Sequence, residues 1–175
     1  MPLNTQINVT MGATLTKTRD MGVIAQDALS FTRKFELLTG VGAGQADKLF
    51  YDERELTTGA NETLDLSGVL VDAFGDTFTI ARIKAIALLA ESAVVGTVAN
   101  TTDLTFGAAA ANPWVAFLNS TGTVTLKPGG LVFACCGPAD AVGWVVTGGT
   151  GDQFKISNAA GATAKYQMAL VAASA

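Results

Sequence analysis

Apolar and polar residues alternate at every second position through a succession of short runs along this chain, and glycine-rich turns separate the runs. Leu29, Phe31, Phe35 and Leu37 alternate with Ser30, Thr32, Lys34 and Glu36, with Arg33 the one break on the apolar side. A period of two predicts a half-buried strand there. After the turn Gly40-Val41-Gly42-Ala43-Gly44 comes Lys48–Leu56, charged enough for a solvated strand, with Thr57-Thr58-Gly59 as its stop. Glu62–Gly68 alternates again. Thr77–Leu89 is apolar on both faces, and its β-branched start and glycine boundaries predict a long buried strand rather than a helix.

From residue 94 the rhythm tightens. Val94-Val95, Thr102–Phe106, Trp114–Leu118, Thr123–Leu126, Leu131–Phe133, Trp144–Val146, Gln153–Ile156 and Tyr166–Val171 are short runs of β-formers. Asn112-Pro113, Lys127-Pro128-Gly129-Gly130, Gly137-Pro138, Gly148-Gly149 and Asn158–Gly161 punctuate them, and Gly107–Ala111 reads as a loop. Short strands about ten residues apart predict an all-β antiparallel β-sandwich or barrel. The first 28 residues differ. They are rich in Thr, Asn, Gln and Gly with scattered Ile, Val, Met and Leu, and no period persists for long. They are expected to form an extended N-terminal arm, or else an edge strand and loop, ahead of a single sandwich domain over 29–175. The apolar residues of that arm, Ile7, Val9, Met11 and Leu15, are the candidate protein-interface positions.

Composition sharpens this picture. Half of the 26 charged side chains lie in residues 1–60, and charged residues make up only 15% of the chain against 49% hydrophobic ones. Ordinary soluble domains carry about 25% charged residues. Such a deficit fits a membrane-embedded chain or one covered by other protein. The longest apolar stretch, Ile83–Ala90, is interrupted by Lys84 and falls far short of the ~20 residues that span a bilayer. Aromatic girdles of a membrane barrel are absent from the pattern. Coverage by protein, in an oligomer or a larger assembly, is therefore expected, with no membrane partner. A net charge of −4 and scattered basic residues argue against a nucleic-acid partner. The N-terminus lacks the charged and apolar regions of a signal peptide, so cytoplasmic synthesis is expected.

Candidate chemistry is sparse. The chain has no histidine, so Ser–His–Asp and Cys–His arrangements cannot be built. Cys135 and Cys136 are adjacent and read as small apolar strand residues rather than a redox pair. Asp52, Glu53 and Glu55 are the one acidic concentration, but neighbours in a strand point to opposite faces and Arg54 lies among them. Gly148–Asp152 lacks the Lys-Ser/Thr and following helix of a phosphate loop and reads as a hairpin turn. Trp114 and Trp144 each head an apolar strand, a position typical of a core anchor more than of a sugar-stacking platform. No catalytic residue, cofactor or metal ligand is assigned, and the chain is expected not to be an enzyme.

One stretch has a wider likeness. Leu64-Asp65-Leu66-Ser67-Gly68, the turn Phe74-Gly75 and Phe78–Ile86 resemble a pattern in small virion proteins of tailed bacteriophages. Leu126–Gly130, Gly143–Val146, Gly149–Ile156 and Tyr166–Val171 continue it, so the resemblance covers about residues 61–172. Within that group the chain is most similar to capsid cement or decoration proteins. The resemblance implies a jelly-roll-like sandwich, a homo-dimer or homo-trimer, and a partner in the major capsid protein on the capsid exterior of the virion. No functional residue carries over, because the shared positions are turn glycines and core residues. The alternative within virions is a tail fibre or receptor-binding tip that stacks carbohydrate on Trp114 or Trp144.

Overall fold

The structure, a computed structural model, describes residues 2–92, 94 and 99–175. Among them the fold is all-β, with one 3-10 turn at Asp20–Gly22. The strands are β1 (Thr5–Thr18), β2 (Ile24–Thr39), β3 (Gln45–Ala46), β4 (Lys48–Leu56), β5 (Asn61–Asp65) and β6 (Arg82–Leu89). They continue as β7 (Leu104–Gly107), β8 (Thr123–Leu126), β9 (Leu131–Cys135), β10 (Trp144–Val145), β11 (Gln153–Asn158) and β12 (Ala164–Ala173).

Two antiparallel sheets make a β-sandwich. In one, β12 lies between β4 and β6, while β9 and β10 both pair with the far edge of β6. The other runs β5-β11-β7-β8. Alternation decides what each strand buries. Phe50, Leu170 and Ile86 share one cross-strand row, with Met168 and Leu88 in the next, and all five are buried. From the facing sheet come Leu64, Leu104, Phe106, Leu126, Phe154 and Ile156. Phe106 meets Tyr166 edge-on across the gap, with ring centroids 6.0 Å apart. That geometry contributes beyond simple area burial.

The polar groups enclosed with this core are satisfied. Buried Asn158 donates from Nδ2 to the carbonyls of Leu56, Thr57 and Ala162 and accepts from Thr102 Oγ1 at 2.7 Å, tying β11 to the ends of β4 and β7. Asn100 does the same between Ala90 and Lys165. Among the described residues, every buried side-chain nitrogen or oxygen has a hydrogen-bond partner.

The N-terminal region takes a form different from the expected lone arm. Residues 5–18 pair along their whole length with residues 24–37, so the element is a hairpin joined by the turn at Asp20–Gly22. Met21 and Gly22 both take positive φ there, and Arg19 N–H donates to the Val23 carbonyl at 2.7 Å. The strand period thought absent from the first residues is present: Ile7, Val9, Met11, Ala13 and Leu15 alternate with polar residues or glycine. β2 forms where alternation placed it, but it is not half-buried. Leu37 is buried and Phe35 partly so, whereas Leu29 and Phe31 are exposed. The reason is topological. The hairpin joins the body through a short parallel pairing, Leu38 with Gln45 and Thr39 with Ala46, and through Asp47, whose N–H donates to the Ala172 carbonyl. Beyond that root the ribbon has no second layer beneath it.

Two other expectations shift. The long strand over Thr77–Leu89 shortens to β6, with Phe78 and Ile80 still buried ahead of it. Trp114–Leu118 forms turns, not a strand. Asn112 has positive φ and Pro113 follows it, so the backbone reverses and carries Phe117 back to stack on Trp114, with centroids 6.0 Å apart. Of Val94-Val95, Val95 lies outside the described residues.

The core assignment predicts that Phe106→Ala lowers unfolding free energy by about 3–5 kcal/mol. Val69→Ala, on an exposed turn, should change it by less than about 0.5 kcal/mol. Urea denaturation of the two variants checks this.

Candidate interaction surface

In an antiparallel ribbon, directly paired residues lie on the same face. The β1–β2 register therefore sorts the hairpin into two unlike sides. One carries the pairs Ile7–Phe35, Val9–Arg33, Met11–Phe31, Ala13–Leu29 and Leu15–Asp27. The other carries Asn8–Lys34, Thr10–Thr32, Gly12–Ser30, Thr14–Ala28 and Thr16–Gln26. The first is apolar except for Arg33, Asp27 and, at its two ends, Thr5 and Lys17; the second is almost wholly polar. All four sequence-predicted interface residues, Ile7, Val9, Met11 and Leu15, fall on the apolar side, and the structure brings them together with Phe31, Leu29 and Phe35 from β2.

That apolar side faces solvent. Met11 is 56% exposed, Leu15 73%, Leu29 51% and Phe31 41%. Ile7, Val9 and Phe35, nearer the root, are half-buried. The Arg33 guanidinium carbon sits 5.3 Å from the centroid of the Phe31 ring, and its Nη1 donates to the Thr32 carbonyl. Monomeric proteins rarely leave so continuous an apolar strip open to water, and such strips mark interaction sites.

A second apolar surface lies on the outer side of the five-stranded sheet. The row Tyr51–Ala169–Ala87–Phe133 crosses it, flanked by Leu49–Val171–Ala85–Cys135 on one side and Glu53–Gln167–Leu89–Leu131 on the other. Tyr51, Leu49, Leu131 and Phe133 are exposed there, and the small alanines between them leave a shallow groove. Sequence reasoning missed this face. Its signal was that β4, β9 and β12 carry apolar residues at both parities, which a strand covered on one side only does not need.

The groups weighed as chemistry are each held by protein partners. Asp52 and Glu62 both accept from Arg54, at 2.9 and 2.8 Å, and Tyr166 Oη donates to Glu62 at 2.6 Å. Glu53 points the other way, accepts from Ser92 and forms an ion pair with Lys165. Burial, with the Glu62 carboxylate beside it, pushes the Tyr166 phenol far above its ordinary range. Asp152 is buried, accepting from Ser67 Oγ and from the Gly149 N–H, and it fixes the Gly148–Gly151 turn. Its carboxyl is held below its ordinary value by these donors, which overcome the opposing effect of burial.

Lys84, 1% exposed, donates from Nζ to the carbonyls of Asp140 and Ala141 at 3.1 and 2.9 Å. Burial draws its pKa down despite the nearby Asp140 carboxylate. Cys135 and Cys136 are free thiols at the end of β9. Burial raises both, Cys136 to about 11, so neither is a thiolate at neutral pH. Trp114 is 4% exposed, its Nε1 donates to the Val145 carbonyl at 2.8 Å, and Trp144 packs edge-on against Phe117. Both tryptophans anchor the core. Among the described residues, no group of three or more Cys, Asp or Glu is placed to hold a metal ion, and no helix is long and apolar enough to cross a membrane.

No family model, no curated protein and no solved structure matches this chain.

The Cys136 environment makes a pH prediction. The folded state holds the thiol proton more tightly than the unfolded chain, so this stabilisation is complete below pH 9.0 and is lost as pH rises toward about 11. Tyr166 acts in the same direction above its ordinary value of 10.0, while Lys84, shifted down, acts oppositely. The melting temperature of Cys136→Ala should therefore fall less steeply than that of the parent between pH 9 and 11. Thermal melts of the pair across that interval isolate the thiol.

Proposed function

We propose that this chain is a structural virion protein of the capsid cement or decoration type, a non-enzymatic homo-oligomer that binds the outside of a major capsid lattice and stabilises the shell by protein–protein contact. The observation that carries the reading is the β1–β2 ribbon, with one side apolar and uncovered beyond its root. The β-sandwich body is complete without the ribbon, so the ribbon serves contact with something outside this copy. The open apolar face of the five-stranded sheet adds a second place of contact, and the charge deficit has the same sense: this exterior is built to meet protein.

The energetics suit the role. Buried apolar surface contributes roughly 25 cal/mol per Å² before the cost of association, and repeated copies on a lattice add avidity without new bonds. A shell strained by packaged DNA is held by contacts that span neighbouring subunits. The sugar-binding alternative has less support, since Trp114 is enclosed with its indole N–H satisfied and Trp144 packs on Phe117.

The test is co-sedimentation of the purified protein with capsids of the phage that encodes it, followed by imaging of decorated shells. Density on the outer lattice, and capsids that withstand heating less well without the protein, are expected. Recovery only with tails, or absence from virions, overturns the reading.

A further inference from the structure

We propose that the apolar side of the β1–β2 ribbon is covered by the same side of a second copy of this chain, the two ribbons lying face to face and antiparallel so that Arg33 of each meets Asp27 of the other. This goes further than the assembly role by naming the occupant of one surface. It rests on that role only in taking the ribbon to be a contact element.

An occupant is required because a two-stranded ribbon with nothing packed on it is marginal in water. The body of the same copy does not supply a cover, since the ribbon's apolar side is exposed beyond its root. A second copy fits for two independent reasons, charge and shape.

Arg33 and Asp27 lie on the apolar side of β2, each three residues from Ser30. A two-fold axis passing the Gly12–Ser30 pair therefore brings Arg33 over Asp27 of the second copy twice. Ribbons laid parallel would instead set Arg33 over Val9 and Asp27 over Leu15, burying both charges without partners, which is unfavourable. The charge pattern thus selects one orientation and one register.

In that register large residues meet small ones. Phe35 comes over Ala25 of the second copy and Met11 over Ala13, while Phe31 and Leu29 exchange places across the axis. Such alternation lets two layers interdigitate. Lys17, near the tip, falls at the end of the overlap, where its amine reaches water.

The area suits a reversible dimer. β1 has 14 residues, which at the strand rise makes the ribbon roughly 45 Å long and about 10 Å wide. The footprint is about 450 Å² on each copy, so the pair buries roughly 900 Å² of surface, in the size range of weak, reversible interfaces.

The experiment is the mass of the full-length protein by sedimentation and light scattering, with folding of every variant checked by circular dichroism. The parent is expected at twice the 17.9 kDa chain mass. Arg33→Asp and Asp27→Arg alone should each weaken self-association by roughly tenfold or more. The double charge swap Arg33→Asp with Asp27→Arg should restore it. Thr32→Asp on the polar side and Leu131→Asp on the outer sheet face should leave it intact.

A parent that stays a single chain at high micromolar concentration overturns the proposal. So does a dimer indifferent to both single charge reversals, or one that Leu131→Asp dissociates. A monomer that sediments with capsids, and ceases to do so with Leu15→Asp, would make the ribbon a capsid-binding arm; self-pairing then fails while the cement role stands. A dimer without capsid affinity is the reverse outcome.

Discussion

A sheet of two strands has two faces and no layer of its own to put against either. Everything distinctive about this protein follows from that constraint acting on residues 5–39. A sandwich resolves it by stacking a second sheet, and the body does so: Phe106 and Phe154 of one sheet close over Tyr166, Met168 and Leu170 of the other. The ribbon leaves the body at Leu38 and Thr39 and forgoes that solution. Its alternation is as regular as that of any core strand, yet the apolar set is turned to water. Regular patterning without a cover distinguishes this ribbon from a loop.

Polar side chains inside the body serve construction. Asn158 gathers three carbonyls and a hydroxyl at the junction of β4, β7 and β11, where strand ends would otherwise leave backbone groups unpaired. Arg54, Glu62 and Tyr166 form one connected group at the inner side of β4. Lys84 buries its aliphatic stem and reaches two carbonyls in the β9–β10 connection. In each case the polar group is bound to fixed partners, an arrangement suited to rigidity.

Much of the body was legible along the chain. Lys48–Leu56 begins and ends where its charged alternation and threonine stop placed it, and the strands over Thr123–Leu126, Gln153–Ile156 and Tyr166–Val171 lie where the turn residues bracket them. Trp114–Leu118 was misread because its β-forming side chains are held by tertiary contacts, the indole hydrogen bond and the Phe117 stack, which act on a turn as readily as on a strand. The ribbon was half legible. Leu29–Leu37 announced itself, and Ile7, Val9, Met11 and Leu15 stood out as apolar candidate positions. Their shared face emerged only from the pairing of residue n with residue 42 − n, which threonine-rich sequence with a central Gly12 does not reveal. Exposure was the least legible property, because alternation states which side is apolar and not whether anything lies against it.

The position of β12 has a consequence for how the molecule is made. β12 lies between β4 and β6, and its partners in β4 are more than a hundred residues earlier in the chain. A ribosome must therefore synthesise through Ala173 before β4 and β6 can be joined, whereas the hairpin closes on itself as soon as residue 39 has emerged. Through most of its elongation the nascent protein carries an uncovered apolar hairpin beside an unfinished body, the interval in which such a surface is most exposed to misassociation.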